Sequence, residues 1–413
     1  MVELTGLLVI GLLVAGVWSY RVGPLAEIPI TRVSLGQAVA CWVVGAASGN
    51  IWLFLLMVPW GFHFMRLTSM DWRQWGGMVW ASLALVAVIV AGGSNPTAQW
   101  VPWVLSALVV IGVGQTVWAV DGWRRFPNRY VARKGWLCWY EDRTPPRIEC
   151  GQGNQNHAQA LSAVCVAAVC GLAWLWSWWW LVLVPVLAVP IALVEWTVRH
   201  KGGLVSQGHL YLWHLALLGL CVWLGPWGWA VCGLYGLACL GLLYRWRGER
   251  HAPDTGRARR WYILLGAGWW CQPWTVRLLG QGWRSWIAWA ERFVRADVTK
   301  NPDKADSISF MTAAHNEYVQ ALFEHGLVGF LGLVGLTVWA FWQAIGAGVI
   351  GQTLVPLLVI LVTNACLSMP WTLYHETVAT NPQTGVRVTS GAGAPGMQAV
   401  SIVVAILVLG VAR

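Results

Sequence analysis

The chain has 413 residues, of which 57% are hydrophobic and only 11% charged, with a formal net charge of +10. Soluble domains carry about a quarter charged residues, so this composition excludes an ordinary water-soluble fold. Apolar runs of about 20 residues, the length that crosses a bilayer, recur along nearly the whole chain and predict an all-α polytopic membrane helical bundle.

Taken in chain order, the spans are expected at 4–20, 33–49, 51–66, 73–92, 100–120, 157–175, 178–198, 203–224, 227–245, 327–346, 351–371 and 396–412, about 12 transmembrane helices. Glu3 stands where a secretory leader would be basic, and no small-residue cleavage pattern follows, so the first run reads as a retained span. Ser48-Gly49-Asn50 divides 33–66 in two; as one tilted helix it would lower the count to eleven and put the termini on opposite faces. Three parts result: spans one to nine over 1–245, one large extramembrane loop over 246–326, and spans ten to twelve over 327–413.

Charge is gathered in two places. The segment 121–156 holds seven Lys or Arg and 245–304 holds twelve, and with twelve spans both fall on one side of the membrane. Charge counting alone makes that side cytoplasmic. A cationic site for an anionic substrate on the outer face is the functional alternative, and long loops such as 246–326 obey the charge rule poorly.

Of ten cysteines, Cys41, Cys165, Cys170, Cys221, Cys232, Cys239 and Cys366 lie in spans, where they act as small apolar residues. Cys138 and Cys150 share the hydrophilic loop 121–156 and pair only if it faces an oxidising compartment. With neither CxxC nor HExxH and few scattered carboxylates, no metal site is expected. Trp60, Trp72, Trp75, Trp100 and Trp103 flank spans as interfacial anchors do. Trp261, Trp269, Trp270, Trp274, Trp283, Trp286 and Trp289 lie in the long loop, where an amphipathic surface helix accounts for them better than sugar stacking.

The stretch His315 to Gly329 places ionisable groups where a short helix runs straight into span ten, and such groups at membrane depth point to function. A helix beginning near Thr312, a reasonable cap, puts His315 in its first turn. There the positive helix end favours the neutral, proton-accepting imidazole. His315, Val319 and Leu322 share one face, while Asn316, Gln320 and Glu324 share another. Gly326 and Gly329 permit close packing where the span begins. Glu195, four residues before Arg199, reads as its helix ion-pair partner.

The string His315-Asn316-x-Tyr318-Val319-x-x-Leu322-x-Glu324-x-Gly326-Leu327-x-Gly329 resembles the signature of the bacterial O-antigen ligase and O-antigen polymerase superfamily. Three further stretches follow the same order. Thr255-Gly256-Arg257-x-x-x-Trp261 is similar to its small-Gly-Arg-x-x-x-Trp element, and Gly280-Gln281-Gly282-Trp283-Arg284-Ser285-Trp286 to its Gly-x-Gly-x-x-Ser-aromatic turn. Gly153-Asn154-Gln155-Asn156-His157 matches the Gly-x-x-Asn start of a middle span. His200-Lys201-Gly202-Gly203-Leu204 stands where the family has Ser-Arg-Gly-Gly-Leu, with Lys201 replacing the arginine or the arginine shifted back to Arg199.

The resemblance implies a metal-independent, cofactor-free glycosyltransferase of the C type in the bacterial inner membrane, its loop 246–326 facing the periplasm. It would take a glycan from undecaprenyl diphosphate to an acceptor hydroxyl on lipid, glycan or protein, with the bilayer and no nucleic acid as its surroundings. His315 would be the general base. Arg257, with Lys201 or Arg199 and Arg284, would hold the diphosphate, since charge developing on its oxygens needs cations where no metal serves. Asn316, Glu324, Gly280 and Gly282 would support them. A polymerase, whose acceptor is a second lipid-linked unit, shares these motifs. A transporter or flippase with a basic vestibule would be favoured by inverted repeats or charges deep in several spans; the sequence has neither, and His209 and His214 stand too far apart from other charges to form a relay.

Overall fold

The computed structural model describes residues 100–124, 155–200, 208–224, 261–281, 314, 316–367, 375–380 and 387–392, with single positions at 55 and within 227–241 and 397–408. The spans expected at 4–20, 33–49, 51–66 and 73–92, and the Cys138–Cys150 pair, lie outside them.

Hydropathy places the described helices well. α1 is Val101–Arg124, α2 Gln155–Leu175, α3 Val184–His200 behind a 3-10 turn at Trp178–Leu183, and α4 Gly208–Leu224. The loop 246–326 contributes a short α5, Trp274–Leu279. Then come α6 (Glu317–Gly346), α7 (Gly348–Gln352) and α8 (Val355–Leu367). Among the described residues, five helical stretches are long and apolar enough to cross a membrane.

Small residues let these helices approach closely. A side chain at Gly112 of α1 would meet Cys165 Cβ of α2 at 2.6 Å and Leu187 of α3 at 2.8 Å, while one at Gly171 would meet the Thr353 carbonyl at 2.7 Å. Cys165 is fully buried there and acts as the small apolar residue expected. α1 and α2 run antiparallel, with Gln115 Nε2 donating to the Ala158 carbonyl at 2.8 Å.

Pro190 interrupts α3. Proline has no N–H to give the carbonyl four residues back, and that carbonyl, of Val186, instead accepts from Thr116 Oγ1 of α1 at 3.0 Å. Ser162 Oγ of α2 donates to the next carbonyl, Leu187. The Thr116 hydroxyl thus satisfies a backbone group that hydrocarbon would leave bare.

Among the described residues, one end of the bundle is free of formal charge. No Asp, Glu, Lys or Arg occurs in 74–120, 159–194, 210–244 or 325–375. That end holds the start of α1, the turn between α2 and α3, and the α6–α8 connection. It is crowned by exposed tryptophans, among them Trp103, Trp174, Trp176 and the stacked pair Trp178–Trp179, whose rings are 4.4 Å apart. Aromatic rings of this kind mark a membrane–water boundary.

The sequence predicts a short helix running straight into span ten. The structure breaks α6 sharply at Gly326, which has φ 66° and ψ −167°. Tyr318, before the break, hydrogen-bonds Thr337 Oγ1, after it, at 3.2 Å. Nineteen residues of straight helix would hold them about 28 Å apart. The segment 317–325 therefore folds back at an acute angle along 327–346, and those later residues form the span.

The fold class is helical with one addition. His375–Thr380 (β1) and Arg387–Ala392 (β2) pair antiparallel, His375 opposite Ala392 and Thr380 opposite Arg387, in a region expected only to join spans eleven and twelve. Thr377, Val378, Thr380, Val388 and Thr389 supply its β-branched residues.

Candidate functional site

The loop segment 261–281 docks on the fold-back helix 317–325. It is helical over 261–265, widens into a π turn at Gly266–Trp270, and ends in α5. Ile263, Leu264 and Phe323 are buried between them. Gly268 makes room for Phe323, since a side chain there would come within 2.6 Å of Phe323 Cε2. Gln281 N–H donates to the Phe323 carbonyl at 3.0 Å.

The crossing of the two segments is made by two glycines, each at positive φ. Gly280 has φ 80° and Gly326 φ 66°. A methyl group on Gly280 would overlap the Glu324 carbonyl, and one on Gly326 would overlap the carbonyl of Leu278. Only glycine satisfies both the backbone angle and the space.

The residues that flank His315 are held in place. Trp261 Nε1 donates to the Ala314 carbonyl at 2.7 Å, and Ala314 N–H donates to Gln320 Oε1 at 3.4 Å. On the other side, Asn316 is the helix cap: its Oδ1 accepts from Val319 N–H at 3.0 Å, and its Nδ2 donates to the Cys366 carbonyl of α8, also at 3.0 Å. The expected start near Thr312 is corrected by this geometry. Asparagine caps at least as well as threonine, so His315 directly precedes the cap instead of sitting in the first turn.

Tyr318 lies beside Thr337, eleven residues beyond the break, so the capped end of the fold-back helix lies about 13 Å along the span from Gly326.

Of the expected site residues, Asn316, Glu324 and Gly280 are described: Glu324 and Gly280 meet at the crossing, and Asn316 caps the other end of the same helix. Glu324 is buried, with its backbone against Gly280. Arg199 lies in the last turn of α3. His315, Arg257, Lys201, Arg284 and Gly282 lie outside the described residues. The loop tryptophans divide in two: Trp261 and Trp269 turn inward, each giving its Nε1–H to a carbonyl, while Trp270 and Trp274 face outward. Arg277 stands 5.4 Å over the Trp270 ring. The outward pair fits the expected surface segment; the inward pair does not.

A polar layer continues across α4 and α8. Tyr211 O–H donates to Asn364 Oδ1 at 2.9 Å, and His214 Nδ1 meets Thr363 Oγ1 at 2.9 Å. Thr363 already donates to the Val359 carbonyl, so the imidazole is the donor. His214 also stands edge-on to Tyr235 at 5.6 Å. Neither histidine of α4 is isolated, because Glu195 of α3 pairs with His209 at 3.2 Å. The side chain of Arg199, the local partner expected for Glu195, lies outside what the structure describes.

Compared with protein-family models, with curated proteins and with solved structures, the chain matches none.

Proposed function

We propose that the protein is an O-antigen ligase-like glycosyltransferase, moving a glycan from undecaprenyl diphosphate to an acceptor hydroxyl at the periplasmic face of a bacterial inner membrane. The observation that carries this reading is that two separate sequence elements of the loop pack along the third, one at each end of the segment 314–326. Trp261 closes the Gly-Arg-x-x-x-Trp element, Gly280 opens the Gly-x-Gly turn, and both contact the segment 314–326. The chain neighbours of His315, Ala314 and Asn316, are each held by hydrogen bonds, which supports a fixed general base between them.

In this reaction the acceptor oxygen forms a bond to the anomeric carbon as the carbon–phosphate-oxygen bond breaks. The acceptor proton passes to His315, a role worth about 10²–10⁴ in rate. The diphosphate leaves with the bonding electrons, its charge met by Arg257, by Lys201 or Arg199, and by Arg284.

The test is transfer by purified protein in lipid nanodiscs given an undecaprenyl-diphosphate-linked glycan. His315→Ala and Arg257→Ala are each expected to abolish transfer while the protein still inserts and elutes as a single species. Near-normal transfer by His315→Ala refutes the base. If the product is a longer lipid-linked glycan, the acceptor is a second donor molecule and the enzyme is a polymerase.

A further inference from the structure

Glu195 and His209 form a carboxylate–imidazole pair that the proposed reaction does not use. Glu195 lies near the end of α3 and His209 is the second residue of α4, so their contact draws together the ends of the 201–207 connection. The carboxylate side chain is 11% exposed and the imidazole 46%. Nδ1 faces the carboxylate, which leaves Nε2 as the ring's other polar atom. A lysine would close the turn equally well; an imidazole held at one nitrogen differs in keeping a second, directed donor.

The pair lies at the level of the candidate site. Tyr211, two residues after His209, bonds Asn364; Asn364 is two residues before Cys366, whose carbonyl takes Asn316. The same connection begins just after Arg199 and contains Lys201.

We propose that His209, oriented by Glu195, is a further ligand for the phosphate oxygens of the diphosphate carrier. The inference rests on the glycan-transfer reading above. In its protonated form the ring gives one N–H to Glu195 and the other to a phosphate oxygen, a charge-assisted hydrogen bond. Glu195 is a positioning residue, since it acts through the ring. The diphosphate is present in both ground and transition states, so loss of this ligand raises the donor KM more than it lowers kcat.

The experiment measures binding of undecaprenyl diphosphate to the full chain in phosphatidylcholine nanodiscs. His209→Ala is expected to weaken binding about tenfold. His209→Lys, which keeps a cation, is expected to restore part of it, and Glu195→Gln to show an intermediate loss. A parallel series replaces the diphosphate lipid with phosphatidylglycerol, for which no change is expected. If the unaltered chain binds no diphosphate lipid, the glycan-transfer reading itself falls. If it binds and both His209 variants match it, only this inference falls. An equal loss for phosphatidylglycerol makes the pair a general headgroup contact and overturns it too.

Discussion

The phenol of Tyr318 donates to Thr337 Oγ1 across the break in α6. Thr337 gives its own hydrogen to the Leu333 carbonyl at 2.8 Å, which leaves its oxygen to accept. This one bond ties the fold-back helix to the middle of the span. Tyr318→Phe is expected to cost about 1 kcal/mol in stability and to lower glycan transfer. Thermal unfolding in nanodiscs and initial rates check it; unchanged values for both would show that the bond does not hold the segment in place.

At the crossing of Gly280 and Gly326, alanine at either position forces a residue with a side chain into a glycine-only conformation, at about 1–3 kcal/mol, besides the overlap with a carbonyl. Each single variant is expected to unfold at lower temperature. The double variant should lose less than the sum, because both substitutions open the same contact. Strict additivity in a double-mutant cycle would mean that the two glycines are strained independently.

For the cap, Asn316→Asp keeps an oxygen for Val319 N–H and loses the donor to the Cys366 carbonyl, whereas Asn316→Ala loses both. A cap is worth about 1 kcal/mol. Transfer is expected to fall in both variants, with stability falling further for alanine. An aspartate variant with full activity would detach the α8 contact from the placing of His315.

Much of this architecture was legible in the sequence. Hydropathy located α1, α2, α3, α4 and the span 327–346, because uncharged runs of about 20 residues admit little else. The sharp reversal at Gly326 was not legible. A glycine before an apolar run reads as a close-packing position, and only the Tyr318–Thr337 contact distinguishes packing from folding back. The cap was misplaced because Thr312 and Asn316 are both acceptable capping residues. The contact of Glu195 with His209 joins two helices and carries no local signal, so spacing along the chain pointed only to Arg199. Of the candidate site, motif order named Trp261, Gly280 and Asn316 but not their arrangement along the fold-back helix, since spacing along the chain carries no measure of how a segment turns back.

The Pro190 break gives the sharpest test of backbone satisfaction. Thr116→Val removes the hydroxyl that serves the Val186 carbonyl and is expected to destabilise by about 1–3 kcal/mol. Adding Pro190→Ala restores an N–H four residues beyond Val186, so the double variant should regain most of the loss. Failure of that rescue in thermal unfolding would assign Thr116 a packing role.

The reversal at Gly326 also sets an order of events during synthesis. Residues 317–325 rise only about 13 Å as a helix, less than half a bilayer, so they cannot be threaded across as an independent unit. Their capped end needs the Cys366 carbonyl, which emerges from the ribosome later, and their flank needs the loop made earlier. The tuck inward therefore comes after the last of these pieces is in place, and a nascent chain stalled before residue 366 lacks the carbonyl that anchors Asn316.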